Sequence, residues 1–336
     1  MKRNHFIDVL KGILIIGVIA SHFPVEESMG LKYLFPFWLN MMVPGFMFIT
    51  GYVYTHSFKR REIESLGEAY KVRRIIEQML RYVSPFTIAF IAEWILFRVC
   101  GIYQVNIVTY GPFALCLNYL RGGAGMGSYY FPLMIQCVVL FPVIYFVIKK
   151  YQFKGLVYCF LGNAVFEILK TAYYMSEDEY RLLIFRYLFI MAAGCYFAMG
   201  PTISRQKSII LSAGCIIAGL FFCYLFGYTS YAPKILTLWS GTSFLAVLFL
   251  VPVLGWLVTR ISVGCYPLEL IGKASFHIFL VQMIFYVLTP KVYPLLPANC
   301  PRLLFNIVAC VAVGILFYMI ENPMTKWLNK KVMKHL

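Results

Sequence analysis

The chain has 336 residues, 61% of them hydrophobic and 13% charged, with a mean hydropathy of +0.76. Soluble domains are about 45–50% apolar and about 25% charged, so the composition excludes an ordinary soluble enzyme and makes the bilayer the solvent. The 30 Lys and Arg exceed the 14 Asp and Glu, for a net charge of +16, and such a surplus has to be tested against membrane topology before nucleic acid is invoked. The ten Cys show no C-x-x-C spacing, the nearest pair being Cys215 and Cys223, and the His residues form no ligand pair. Neither a zinc site nor a disulfide framework is signalled, and no metal is expected. No removable signal segment is read, so the first hydrophobic segment is expected to stay as an anchor.

A bilayer span takes about 20 mostly apolar residues. Such stretches lie near 6–23, 33–54, 82–100, 129–148, 155–174, 181–200, 208–227, 235–257, 267–289 and 302–320. The fold expected is therefore an all-α integral membrane protein of about ten transmembrane helices, in a single domain over 1–336. Basic residues fall on alternate connections. Lys2 and Arg3 precede the first span; Lys59, Arg60, Arg61, Lys71, Arg73, Arg74 and Arg81 fill the second connection; Lys149, Lys150 and Lys154 the fourth; Arg205 and Lys207 the sixth; Arg260 the eighth; Lys326, Lys330, Lys331 and Lys334 the tail. The intervening connections carry Glu26 and Glu27, and Glu177 to Glu179. Both termini are expected to be cytoplasmic. The same alternation absorbs the net charge as a topology signal, and basic residues spread over several loops make no stripe for nucleic acid. Connection 55–81 reads as an interfacial helix. Connection 101–128, with its Arg121-Gly122-Gly123-Ala124-Gly125 run, is long enough to be functional.

Ionisable groups inside spans are costly and mark cavities or partners. They are Asp8, Lys11 and His22 in the first span, Glu93 and Arg98 in the third, Glu167 and Lys170 in the fifth, Arg186 in the sixth, and Lys273 and His277 in the ninth. Lys11 and His22 are three helical turns apart, on one face and roughly 16 Å apart along the axis. Asp8 sits one turn below Lys11. In one reading Lys11 holds an anionic group while His22, titrating near neutrality, acts as a general base. In the other, Lys11 snorkels and pairs with Asp8 while His22 lies among outer headgroups. Glu93 or Glu167 is placed to orient His22 as an acid partner, or to sit as a neutral buried carboxyl; Glu167 also has Lys170 as an i,i+3 neighbour. Arg186 either snorkels or contacts an acceptor, Lys273 is placed to contact phosphate, and His277 reads as a satisfied core histidine.

The segment Ile7-Asp8-Val9-Leu10-Lys11-Gly12 through Ala20-Ser21-His22 resembles the first span of the acyltransferase-3 family of membrane O-acyltransferases, in which Arg or Lys is followed by ten residues and then His. Pro44 to Tyr52, Arg81-Tyr82-Val83-Ser84-Pro85, Ile271 to Gln282 and Glu321-Asn322-Pro323 resemble its later blocks in order and spacing. Tyr129 to Gln136 stands where the family's fourth span begins, with Tyr130 where Trp is common and Gln136 where some relatives carry a carboxylate. The resemblance covers nearly the whole chain. It implies transfer of an acyl group, commonly acetyl, from cytoplasmic acyl-CoA (acetyl-CoA) to a hydroxyl of a cell-surface or lipid-linked glycan, with His22 as the catalytic His and Lys11 as its partner cation. Arg81 carries over as one member of a cytoplasmic Arg-x-x-Arg pair. The position three residues earlier is Gln78, so Arg74 or Lys71 would substitute. Donor phosphates are thus expected against Arg81, Arg74 and Lys273 near Asp8, and acceptor contacts at Arg186 and Arg121. The extracytoplasmic esterase-like domain of some relatives is not expected. A bacterial plasma membrane, with its lipids as surroundings, follows from the resemblance. The competing class is a transporter or flippase of a glycan or small anionic solute, which predicts an internal repeat with matched broken helices; none is evident. A third, a glycan-polymerising enzyme, needs no cation-to-His stripe.

Overall fold

The computed structural model describes residues 4–24, 27–102, 112–229, 244–295 and 300–334. Among these the chain is helical and contains no strand. Lys2, Arg3, Glu26 and the first part of the 235–257 stretch lie outside the described residues. Helix α1 (His5–Ser21) starts where the Asn4 side chain accepts the Phe6 N–H at 3.0 Å, a side-chain cap for a backbone donor that the helix itself cannot satisfy. It ends before Phe23-Pro24, because a residue preceding proline is disfavoured in helical geometry. Short helices α2 (Glu27–Lys32) and α3 (Phe35–Trp38) then lead into α4 (Met42–Arg60). After α5 (Leu66–Ala69) come α6 (Val72–Val99), α7 (Pro112–Leu120), α8 (Tyr130–Tyr151) and α9 (Phe153–Ala172). The rest are α10 (Glu177–Leu182), α11 (Leu188–Met199), α12 (Arg205–Tyr228), α13 (Leu250–Arg260), α14 (Tyr266–Lys273), α15 (Ser275–Val292) and α16 (Cys300–Val332).

Five of these, α6, α8, α9, α12 and α16, are long and apolar enough to cross a membrane, and α14 with α15, bent by 68° at their break, passes the same test together, as a broken span or a re-entrant loop, for five to six in all. The chain is a helical membrane protein. The ten-span expectation exceeds this number: α1 has 17 residues and α11 12, short of a typical crossing of about 20; α4 has the length, with 19 residues, but carries Thr50, Thr55, His56 and Ser57 and falls outside the apolar set; and the first part of the stretch that ends in α13 lies outside the described residues.

Two helix pairs pack backbone to backbone through small residues, the device that replaces hydrophobic burial inside lipid. A side chain on Gly12 would overlap the Leu268 carbonyl, and one on Gly272 the Asp8 carbonyl, so α1 and α14 lie in direct contact. Gly51 and Gly194 do the same for α4 and α11. Around α8 the core is aromatic, with Phe58 edge to face on Phe141 and tilted against Tyr145, and Phe86 stacked on Phe131 at 3.6 Å.

The basic connections meet at one end of the molecule. Lys59 donates to the Ala198 carbonyl at 2.9 Å, Lys149 reaches Glu64 at 2.6 Å, and the Asn4 amide donates to the carbonyls of Val258 and Ile261. The start of α1 therefore shares an end with the termini of α4, α8, α11 and α13.

Candidate active site

Three cavities follow α1 from the basic end to its C-terminus. The first, about 870 Å³, is lined by Lys59, Arg60 and Arg61 at the end of α4, by Gln78, Arg81 and Tyr82 on α6, and by Asp8 and Lys11. The second, about 420 Å³, runs between α1, α4, α8 and α15 past Asp8, Lys11, Tyr54, Arg81, Tyr82, Lys273, His277 and Phe279 to His22. The third, about 870 Å³, opens at the other end between His22, Arg121, the Gly123 to Tyr129 turn, Arg181 and Arg186. Asp8, Lys11, Tyr54, Arg81 and Tyr82 line both the first and second cavities; His22, Val43, Gly127 and Tyr129 line both the second and third.

Lys11 and His22 thus stand at the two ends of the central cavity, as their spacing requires. Lys11 Nζ lies 3.8 Å from Asp8 Oδ1, so the cavity-facing and the paired readings of Lys11 hold together. The His22 ring is half-buried beside Tyr286 at 6.0 Å between centroids. Among the described residues no carboxylate is bonded to it. Glu93 is buried but spends its Oε1 on the Ala124 N–H at 3.2 Å, because position 93 faces the glycine turn rather than α1. Glu167 accepts the Tyr180 hydroxyl at 2.7 Å, and Lys170 reaches Glu177 at 3.0 Å. Neither acid is the partner of His22.

Arg81 bridges the first two cavities and pairs with Glu77 at 2.7 Å, which also holds Arg61 at 2.9 Å. Arg74 is placed elsewhere: it donates to the Glu68 carbonyl at 2.8 Å and lines none of the three cavities. Lys59, Arg60 and Arg61, the run that carries the topology signal, line the basic cavity instead. Lys273 lines the central cavity, 3.7 Å from Glu269. Arg186, buried in the outer wall, lies over the rings of Tyr180 and Tyr187 at 4.6 and 4.8 Å, a cation held on aromatic faces. Arg121 and Arg181 line the same cavity from exposed positions. His277 has a partner: its Nε2 is 2.8 Å from Glu321, whose other oxygen accepts from Ser84 at 2.8 Å and from Thr325.

The arrangement offers a cationic mouth able to hold phosphates, a cavity running along α1, and an imidazole on the border between that cavity and the outer one. No curated protein and no solved structure matches the chain. The family described as Acyltransferase domain (Acyl_transf_3) matches residues 4–320, nearly the whole length. The chain belongs to this acyltransferase-3 family of membrane acyltransferases.

Proposed function

We propose that the protein moves an acyl group, with acetyl the first choice, from acyl-CoA to a hydroxyl of a cell-surface or lipid-linked glycan, with His22 as general base. The observation that carries this reading is the shared lining of the cavities: Lys11 and Arg81 join the basic mouth to the central cavity, and His22 joins the central cavity to the outer one. The CoA phosphates sit at the mouth against Arg60, Arg61 and Arg81, since multiple N–H donors match phosphate oxygens. The pantetheine arm passes Lys11 and presents the thioester at His22. The acceptor hydroxyl gives its proton to the imidazole while its oxygen attacks the carbonyl carbon. The new C–O bond then replaces the C–S bond as the tetrahedral intermediate collapses, and the departing thiolate takes the proton from His22. The basic end faces the cytoplasm of a bacterial cell, with α1, α4, α11 and α13 completing a ten-span frame and both termini inside.

Inverted membrane vesicles supplied with radiolabelled acetyl-CoA test this. Label on the glycan fraction is expected with the wild type, reduced label with Lys11→Ala, and none with His22→Ala at equal expression. Full activity of His22→Ala removes the assignment. Absence of label with every acyl-CoA, in vesicles holding folded protein and native glycans, returns the question to transport.

A further inference from the structure

The turn between Arg121 and Tyr129 presses glycines against two of the buried groups already described. Gly123 and Gly127 have φ of +95° and +84°, a region where glycine meets no steric penalty. A methyl group on Gly123 would stand 2.7 Å from Glu93 Oε2; one on Gly127 would stand 3.3 Å from His22 Nε2 and 3.2 Å from the Phe279 ring. Glu93 is 2% exposed and forms no ion pair among the described residues. Its carboxylate instead accepts the N–H groups of Ala124 and Gly125, two consecutive donors that only a bent backbone presents together. Two residues further on, Gly127 borders both the central and the outer cavity.

The space a side chain at 127 would fill is therefore the space beside His22 Nε2, close to the distance a base keeps from the oxygen it deprotonates. We propose that Glu93 is the positioning residue of the transfer centre: it anchors the turn so that Gly127, having no side chain, leaves the room in which the acceptor hydroxyl meets the acyl carbonyl. The chemistry named here rests on the reaction proposed above; the anchoring does not.

The test uses the full-length protein in membranes with Gly127→Ala and Glu93→Gln. In Gly127→Ala, acyl transfer falls about 100-fold, the loss a small misplacement at a reacting centre produces, while binding of CoA alone stays within about twofold. In Glu93→Gln, kcat falls about tenfold with the KM for acyl-CoA unchanged, and the His22 limb of the pH profile keeps its place. Maleimide labelling of Met126→Cys, read as the gain over the parent protein, becomes faster when Glu93→Gln is added.

Wild-type transfer in Gly127→Ala, or loss of its CoA binding, overturns the assignment of that space. A displaced pH limb in Glu93→Gln means that the carboxylate acts on the imidazole itself and overturns the positioning role. Equal labelling with and without Glu93→Gln overturns the anchor. If the wild type transfers no acyl group, the reaction fails while the labelling comparison still decides whether Glu93 holds the turn.

Discussion

His277 Nε2 lies 2.8 Å from a carboxylate oxygen of Glu321, and both residues are buried. The pair ties α15 to α16, and through Ser84 Oγ to α6. Removing one partner of a buried, hydrogen-bonded pair leaves the rest without compensation, which costs about 3–5 kcal/mol. Glu321→Ala is expected to lower the unfolding midpoint in detergent, followed by tryptophan fluorescence, well below that of Glu321→Gln, which keeps an oxygen acceptor. Equal midpoints for the two variants would show that the cluster does not need an acceptor at 321.

The cationic mouth makes a prediction about which arginines matter. Replacing Arg60 and Arg61 together by Ala should weaken CoA binding about tenfold or more and flatten its dependence on salt, since exposed charges are screened by added ions. Arg74→Ala should bind as the wild type does, because its guanidinium is spent on the Glu68 carbonyl. Calorimetry at two ionic strengths checks both; an Arg74 effect as large as the double variant would move the donor site toward α5.

Lys11→Met removes a charge but keeps the length of the side chain. It should raise the KM for acyl-CoA about tenfold at low salt, with a smaller change in kcat than His22→Ala gives. Steady-state kinetics in vesicles separates the two, and an unchanged KM would leave Lys11 with Asp8 alone.

At the outer end, Ser176 caps α10 in reciprocal fashion: its hydroxyl oxygen accepts the Glu179 N–H, while its own N–H and hydroxyl donate to the Glu179 carboxylate. These bonds hold the Glu179 carboxyl below the ordinary range. A depressed carboxyl pKa stabilises the fold above the unfolded value and ceases to do so as pH falls through the folded one. Ser176→Ala should therefore lower the unfolding midpoint by about 2 °C at neutral pH. The difference should narrow only as the pH falls below the ordinary carboxylate range and through the depressed folded-state value, where Glu179 takes up its proton in the wild type as well. A gap independent of pH would assign the effect to the cap alone.

Much of the site could be read from spacing. Lys11 and His22 share a helix face by arithmetic, and the structure puts both on one cavity. The glycine-bearing connection was singled out by length, and it does border that cavity. Glu93 and Glu167 were equally visible as misplaced carboxylates, yet their partners were not, because a pairing between α6 and residues 124–125, or between α9 and Tyr180, depends on the angles at which helices cross. Periodicity within one segment carries no such information. Arg74 illustrates the same limit: seven residues before Arg81, it offers itself as the substitute for the missing member of the Arg-x-x-Arg pair, but its guanidinium is spent on the Glu68 carbonyl. The bend between α14 and α15 was hidden because Ala274 carries no breaker signal.

His22, Val43, Gly127 and Tyr129 form the boundary shared by the central and outer cavities. A membrane that stores energy as an ion gradient is short-circuited by any continuous passage across it. In the proposed reaction the four residues that let the acceptor reach the thioester are then also the ones that have to keep the two cavities from becoming an open leak. Residues there are constrained twice over, by what must meet and by what must not pass.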